Sequence, residues 1–384
     1  MKLGNYITQI RGVSYKPSDV TTIENGLPIL RANNINNDEM NFDDLIYIEP
    51  SKIKDNQILR IGDVFVCASS GSKSLVGKAC LYKPFNNKIS FGAFCKVIRI
   101  NKSININSDF IRLFFRSNYY RDQISELSKG ANINNIKSED IDSLEINIPS
   151  IEVQNEAILI INSLINALNN KKNEYLLFEE MIKSRFIEMF DGIIQNKNRE
   201  CTFEDITTSM IGLTYKPDNV SSNGTIVLRS GNIQNGELTL EDDIVRVENV
   251  KIKEEKYVED LDILMCSRNG SSRLVGKTCI IHTPKERMTF GAFMTVIKTK
   301  YPYIVNTFMN MDYFRGQLTG TQTASVNQIT TKMLNEYKIF KPTIEEENEF
   351  RTFVELIDKS KFIVQQQIKE LQELLDSKMD EYFR

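Results

Sequence analysis

The side chains able to do chemistry in this chain of 384 residues are few and badly spaced for catalysis. The single histidine, His282, leaves no room for a multi-histidine metal site, and a Ser-His-Asp triad would have to be built on it. The six cysteines, Cys67, Cys80, Cys95, Cys201, Cys266 and Cys279, show no Cys-x-x-Cys spacing. They read as small buried hydrophobes in a reducing compartment rather than as zinc ligands. Gly270 to Lys277-Thr278 approaches a phosphate loop, but five residues separate its glycines where that motif has four. The matching stretch ends in Lys78-Ala79, without the metal-binding hydroxyl. There is no Asn-Pro-Pro-Tyr motif for amino-methylation and no glycine-rich cofactor turn opening a helix. These absences exclude several catalytic constellations, while nuclease carboxylate clusters are too degenerate to be read from one sequence.

What remains is recognition. The turn Ala68-Ser69-Ser70-Gly71-Ser72-Lys73-Ser74 is answered by Ser267-Arg268-Asn269-Gly270-Ser271-Ser272-Arg273. The glycines and the Leu-Val-Gly-Lys that follows are shared. The side chains between them differ: Ser69 against Arg268, Ser70 against Asn269, Ser74 against Arg273. A common scaffold reading two different base sequences would look like this, because Arg fits guanine and Asn fits adenine through paired major-groove hydrogen bonds. Lys78 and Lys277, the same in both copies, suit phosphate. Ordinary drift between duplicated loops would produce the same differences. A second polar cluster, Asn132, Asn134 and Asn135, is answered by Ser325, Asn327 and Gln328; capping or turn-making explains it about as well as base reading.

Those turns must be positioned by something, and the chain uses one plan twice. Gly12-Val13-Ser14-Tyr15-Lys16-Pro17 returns as Gly212-Leu213-Thr214-Tyr215-Lys216-Pro217. Leu30 to Ile35 returns as Leu228 to Ile233, Leu75 to Lys78 as Leu274 to Lys277, and Phe91-Gly92-Ala93-Phe94 as Phe290-Gly291-Ala292-Phe293. Short apolar runs at 63–68 and 262–267, then 79–83 and 278–282, predict strands. Residues 109–129 and 306–318 predict helices, and 140–148 and 334–340 short strands. Pro149 and Pro342 break the chain before two long helices. Stepping by four and three through the first gives Ala157, Ile161, Leu164, Leu168, Lys171, Tyr175, Phe178, Ile182, Arg185 and Met189. The second gives Phe350, Val354, Ile357, Lys361, Val364, Ile368, Leu371, Leu375, Lys378 and Tyr382. Eight of ten are apolar in each, a coiled-coil seam in one frame. The alternative is two amphipathic helices on separate cores; the narrow stripe favours helices that meet each other. The expected fold is α+β: two mostly-β domains in tandem, each followed by a long helix, the helices forming an antiparallel coiled coil. The expected boundaries are 1–149 and 193–342 for the domains, and 150–192 and 343–384 for the helical spacers.

Net charge is −3, no advertisement for nucleic acid, but its distribution is uneven. Residues 1–149 carry 19 Lys and Arg against 16 Asp and Glu, and residues 193–342 carry 19 against 17. The helical stretches are acidic, 4 against 7 and 6 against 11. Mildly basic domains on acidic helices permit a nucleic-acid surface on the domains. No apolar run approaches the roughly 18 residues of a membrane span, and the first residues lack the apolar stretch of a signal peptide. A cytoplasmic protein without a membrane partner is expected.

The layout resembles the DNA-specificity subunit of type I restriction–modification systems over essentially the whole chain. The carriers are the paired Gly-x-x-Tyr-Lys-Pro segments and Leu30-Arg31-Ala32-Asn33-Asn34-Ile35 with its partner. Two more are Ile61-Gly62-Asp63-Val64-Phe65 leading into the Gly/Ser turn, and Ile146 to Gln154 before the central helix. Family members often have a second proline and a Glu-Gln pair in that last segment, where this chain has Ser150 and Val153-Gln154, then Thr343 and Glu346-Glu347. The resemblance implies target-recognition domains held apart by the helices. It implies two modification subunits methylating adenine with S-adenosylmethionine, and restriction subunits cleaving double-stranded DNA with ATP and Mg. The candidate DNA-contacting residues are Lys16, Arg31, Asn33, Ser69, Ser70, Lys73, Lys78, Asn134 and Asn135, with Lys216, Arg229, Asn232, Arg268, Asn269, Arg273, Lys277, Asn327 and Gln328. The specificity subunit of a type IIB system, or a bivalent protein-interaction scaffold, are the competing readings. Seams of about 33 residues, roughly 50 Å of helix, predict two short half-sites separated by roughly 5–8 base pairs.

Overall fold

A computed structural model describes residues 1–36, 39–71, 75–85, 87–101, 105–129, 135–241, 244–284, 286–319 and 328–384. Its helices are α1 (Ser108–Phe114), α2 (Asn118–Lys129), α3 (Ser138–Ser143), α4 (Ile151–Gln195), α5 (Pro302–Met309), α6 (Asp312–Thr319), α7 (Thr331–Glu336) and α8 (Ile344–Phe383). The chain forms two units, Met1–Lys172 with Gln366–Arg384, and Asn173–Gln365. Each unit contains part of both long helices.

The first unit is built on an antiparallel sheet in the order Ile7–Arg11, Cys95–Ile100, Val64–Cys67, Ala79–Leu81. A second sheet runs Val20–Thr21, Ile46–Ile48, Leu27–Leu30, Ser90–Phe91, its last pair parallel. The strand Val64–Cys67 is apolar throughout because both its faces are covered. Val64 and Val66 point to the core shared with α1, α2 and the helical segments, and Phe65 and Cys67 to the core under the second sheet. The second unit repeats this with Thr207–Ile211, Met294–Thr299, Ile263–Cys266 and Thr278–Ile280. Its other sheet is Val220–Ser221, Val245–Val247, Thr225–Leu228 and Met288–Phe290. Ile263 and Met265 face one core, and Leu264 and Cys266 the other.

The repeated glycine of the opening segment has a steric reason. A Cβ on Gly12 would stand 2.1 Å from the Gly92 carbonyl oxygen, and one on Gly212 would stand 2.2 Å from that of Gly291. The chain must pass this closely for the next N–H to bond: Val13 donates to Phe91 O at 2.8 Å, and Leu213 to Phe290 O at 2.6 Å.

The structure revises three local expectations. The helix predicted over 109–129 is two helices, because Ser117 interrupts it. Its buried hydroxyl donates to Phe114 O at 2.7 Å and accepts the N–H of Tyr120 at 3.1 Å, closing α1 and starting α2. The counterpart breaks likewise, between α5 and α6. The strand predicted over 140–148 begins as α3, whose start is fixed by Asp140 accepting the N–H of Lys137 at 2.8 Å. Only its end is strand-like, through a Lys2–Glu145 bridge. Residues 334–340 split in the same way into the end of α7 and the strand Lys338–Phe340.

In the second unit α4 and α8 run antiparallel: Tyr175 meets Gln365, Glu179 meets Lys361 and Arg185 meets Glu349. The frame drifts at one end. Phe186 and Phe190 are fully buried where the seam predicted Arg185 and Met189. They pack on Phe340 and Phe350, so here α4 serves the globular core as well as α8. In the first unit Ala157, Ile161 and Leu168 of α4 share a core with Leu375, Met379 and Phe383 of α8.

Candidate nucleic-acid interface

The turn leaving the strand Val64–Cys67 is held from two sides. Ala68 and Ser69 both donate their N–H to Phe94 O, at 3.0 and 2.9 Å. Ile136 donates to Ala68 O at 2.7 Å, and Ser69 forms an antiparallel bridge with Asn135. The second unit reproduces each bond. Ser267 and Arg268 donate to Phe293 O at 3.0 Å each, Ile329 donates to Ser267 O at 2.7 Å, and Arg268 bridges to Gln328. Three stretches far apart in sequence thus converge in each unit, and Asn135 and Gln328 of the second polar cluster lie beside the turns.

Arg268 is exposed, with its guanidinium 5.3 Å from the centre of the Phe293 ring. Asn269 ties the turn to a fourth stretch, donating to Ser230 Oγ at 3.1 Å while accepting the N–H of Ser271 at 3.0 Å. Arg273 is exposed on the short 3-10 turn Ser272–Leu274. Ser69, Ser70, Lys78 and Lys277 are half-buried, and Asn135 and Gln328 are exposed. The near phosphate loop joins two antiparallel strands, so its Gly276 and Lys277 turn a hairpin. Burial pushes the Cys67 thiol beneath the turn up to about 11 and the Cys279 thiol up to about 12, which keeps both protonated at neutral pH. His282 is exposed, its ring 6.2 Å from that of Tyr303.

The remaining candidates separate by environment. Lys16 and Lys216 are exposed, as is Arg229. Arg31 donates to Asp44 at 2.7 Å, and Asn33 donates to the same carboxylate at 3.1 Å. Asn232 is corrected: it is 1% exposed, accepts the N–H of Arg229 at 2.9 Å and donates to Thr239 O at 3.2 Å. Both ends of its amide fasten the loop, leaving nothing to read a base with. Its counterpart is Asn34, equally buried and bonded, whereas Asn33 aligns with Gly231. Lys73, Asn134 and Asn327 lie outside the described residues, as do Ser74, Asn132 and Ser325. Sequence reasoning passed over Phe94 and Phe293, 72% and 59% exposed at the tips of these sites. Their signal was an aromatic repeated inside a turn.

A family model described as the type I restriction modification DNA specificity domain matches residues 7–177. The chain is 33% identical over 288 residues to the specificity subunit of the type I restriction enzyme EcoKI from Escherichia coli K12. The chain is similar to this specificity subunit over most of its own length. A second relative, the StySPI specificity subunit from Salmonella potsdam, is 32% identical over 290 residues. Each match takes in 70% of this chain and 61% of the relative, about three-fifths of the relatives' length. The fold is similar to a crystal structure of the type I system S subunit from M. genitalium, with a TM-score of 0.51 at 12% identity, covering 100% of this chain and 95% of that one. It is also similar, with a TM-score of 0.50 at 15% identity, to a chain from a structural study of complex assembly in the type I system, covering 100% of this chain and 99% of that one. Among the described residues, no helix is long and apolar enough to cross a membrane.

Proposed function

We propose that this chain is the non-catalytic sequence reader of a type I restriction–modification complex. Each unit reads one half of a bipartite, asymmetric DNA target through the turn at Ser69–Ser70 or Arg268–Asn269. Partner modification subunits methylate an adenine in each half using S-adenosylmethionine, and restriction subunits cleave using ATP and Mg. The long helices form one antiparallel coiled coil that sets the gap between the halves. The observation that carries this reading is the matched pair of bridges, Ser69 to Asn135 and Arg268 to Gln328. One backbone frame presents Ser and Asn in one unit and Arg and Gln in the other, as reading two different half-sites requires.

The test is methylation sequencing of a host that expresses the chain together with type I modification subunits. The expected result is one bipartite motif with unequal halves. Exchanging Arg268-Asn269 for Ser-Ser should change one half and leave the other intact. A complex that methylates without sequence preference, or a change in both halves, would count against the reading.

A further inference from the structure

The large apolar side chains left exposed on this protein are mostly scattered, as on any soluble surface. Within the globular parts, two pairs occupy matched positions of the repeat, Val20 with Val220 and Phe94 with Phe293. The phenylalanines are the more exposed pair, and their backbone is fixed. Each sits in a tight turn closed by an N–H four residues after the first phenylalanine of the motif: Cys95 donates to Gly92 O at 2.9 Å, and Met294 to Gly291 O at 2.8 Å. The carbonyl of each phenylalanine then accepts two N–H groups from the reading turn. An exposed ring on a backbone fixed in this way gains nothing for folding that a smaller side chain would not also give. In the second unit the ring also shares its position with a base-reading candidate, since the Arg268 guanidinium lies over it.

We propose that Phe94 and Phe293 are base-contacting residues, each pressing its ring on the methyl group of a thymine in the major groove of its own half-site. The inference rests on the proposed reading of the chain and deepens it. Polar neighbours of the ring differ between the units and would discriminate bases by hydrogen bonds. The ring is the same in both, and the major-groove feature that suits an apolar side chain is the thymine C5-methyl. A methylated adenine in each half-site places at least one thymine opposite it, so a thymine is available to both rings. Cation–π contact with Phe293 also holds the Arg268 guanidinium beside the ring, ready for a neighbouring base.

The experiment uses the full chain assembled with its modification subunits and the target mapped by methylation sequencing. Each thymine of the target is replaced singly by deoxyuridine, which lacks only the methyl, and binding is measured by competition. One position in each half-site should weaken binding about four-fold, the worth of one buried methyl group. Phe293→Ala should abolish that sensitivity in one half-site only, Phe94→Ala in the other, and Phe293→Leu should retain part of it. Sensitivity unchanged in both alanine variants, or no sensitive position, overturns the inference and leaves the reading of the chain standing. Loss of complex assembly with either alanine variant makes the ring a protein contact and also overturns it. A wild-type complex that shows no sequence preference for any DNA overturns the reading itself, and this inference with it.

Discussion

Glu347 caps the helix that begins beside Ile304, accepting that residue's N–H at 3.1 Å through one carboxylate oxygen and the N–H of Tyr303 at 3.0 Å through the other. The matched residue in the first unit, Gln154, accepts the N–H of Asn107, the residue that caps α1, at 2.9 Å and donates to Asn105 O and Pro149 O. Both side chains are buried, and each ties the first turn of a long helix to the domain before it. The Glu and Gln of that segment, noticed as a sequence resemblance, are thus joints between helix and domain.

The joint makes the first prediction. Glu347→Ala leaves two buried N–H groups unpaired and should cost about 1–3 kcal/mol. Glu347→Gln, which imports the residue of the other unit, should cost less. Burial pushes the Glu347 carboxyl above its ordinary value, although the two N–H donors pull the other way. The folded state therefore binds this proton more tightly than the unfolded chain. Its stabilising contribution is complete below the unfolded value and lost as pH rises through the folded one. Thermal melts at a series of pH values should show Glu347→Gln gaining on the wild type as pH rises from acid to neutral. A difference between the two that stays constant with pH would contradict this.

The second prediction concerns the close approach of backbones at the repeated opening glycine. Gly212→Ala would place a Cβ 2.2 Å from Gly291 O and 2.3 Å from Phe290 O, with only backbone to yield. A loss of about 2–4 kcal/mol in unfolding free energy is expected. Gly270→Ala, with open space around the added methyl, should stay within about 0.5 kcal/mol. Denaturant titration of the two variants separates the close-packed glycine from the turn glycine.

Much of this architecture was legible before any coordinates. Val64–Cys67 and Ile263–Cys266 stood out because strands covered on both faces are apolar without interruption. The long helices stood out because prolines precede them and their stripe persists. Three things were hidden. Ser117 ends a helix with a hydroxyl that periodicity does not weigh. Phe186 and Phe190 leave the seam because the globular core, not the partner helix, claims them. Asn232 looked like a reader because an exposed amide and a loop-fastening amide are the same letter. Within the site, the turn was legible from differences between the copies, but its junction with Asn135 and Gln328 is a contact across about sixty residues that no local pattern encodes.

A third prediction separates discrimination from attraction. Arg268→Ala should relax one position of one half-site, with about 1–3 kcal/mol less preference for the favoured base there. Lys277→Ala should weaken binding to all sequences about equally and lower the salt slope by roughly one unit. Competition binding of the assembled complex at several salt concentrations distinguishes the two. A uniform loss for Arg268→Ala would demote it to a phosphate contact.

The last prediction concerns the helices as a spacer. In the second unit the partners Tyr175–Gln365 and Glu179–Lys361 show which positions of α4 and α8 face each other. An insertion that lengthens the pair without disturbing its packing has to enter both helices at facing points and keep the seven-residue phase. Seven helical residues after Tyr175 and seven immediately before Gln365 meet both conditions. They add about 10 Å at a rise of about 1.5 Å per residue, which corresponds to about three base pairs at roughly 3.4 Å each. If the helices set the spacing, methylation sequencing should return the same two half-sites with a gap longer by about three base pairs. Four residues at the same points break the phase and bury polar positions, so that variant should lose stability before it changes the gap. Unchanged spacing in a folded, active seven-residue variant would show that the distance between half-sites is set elsewhere in the complex.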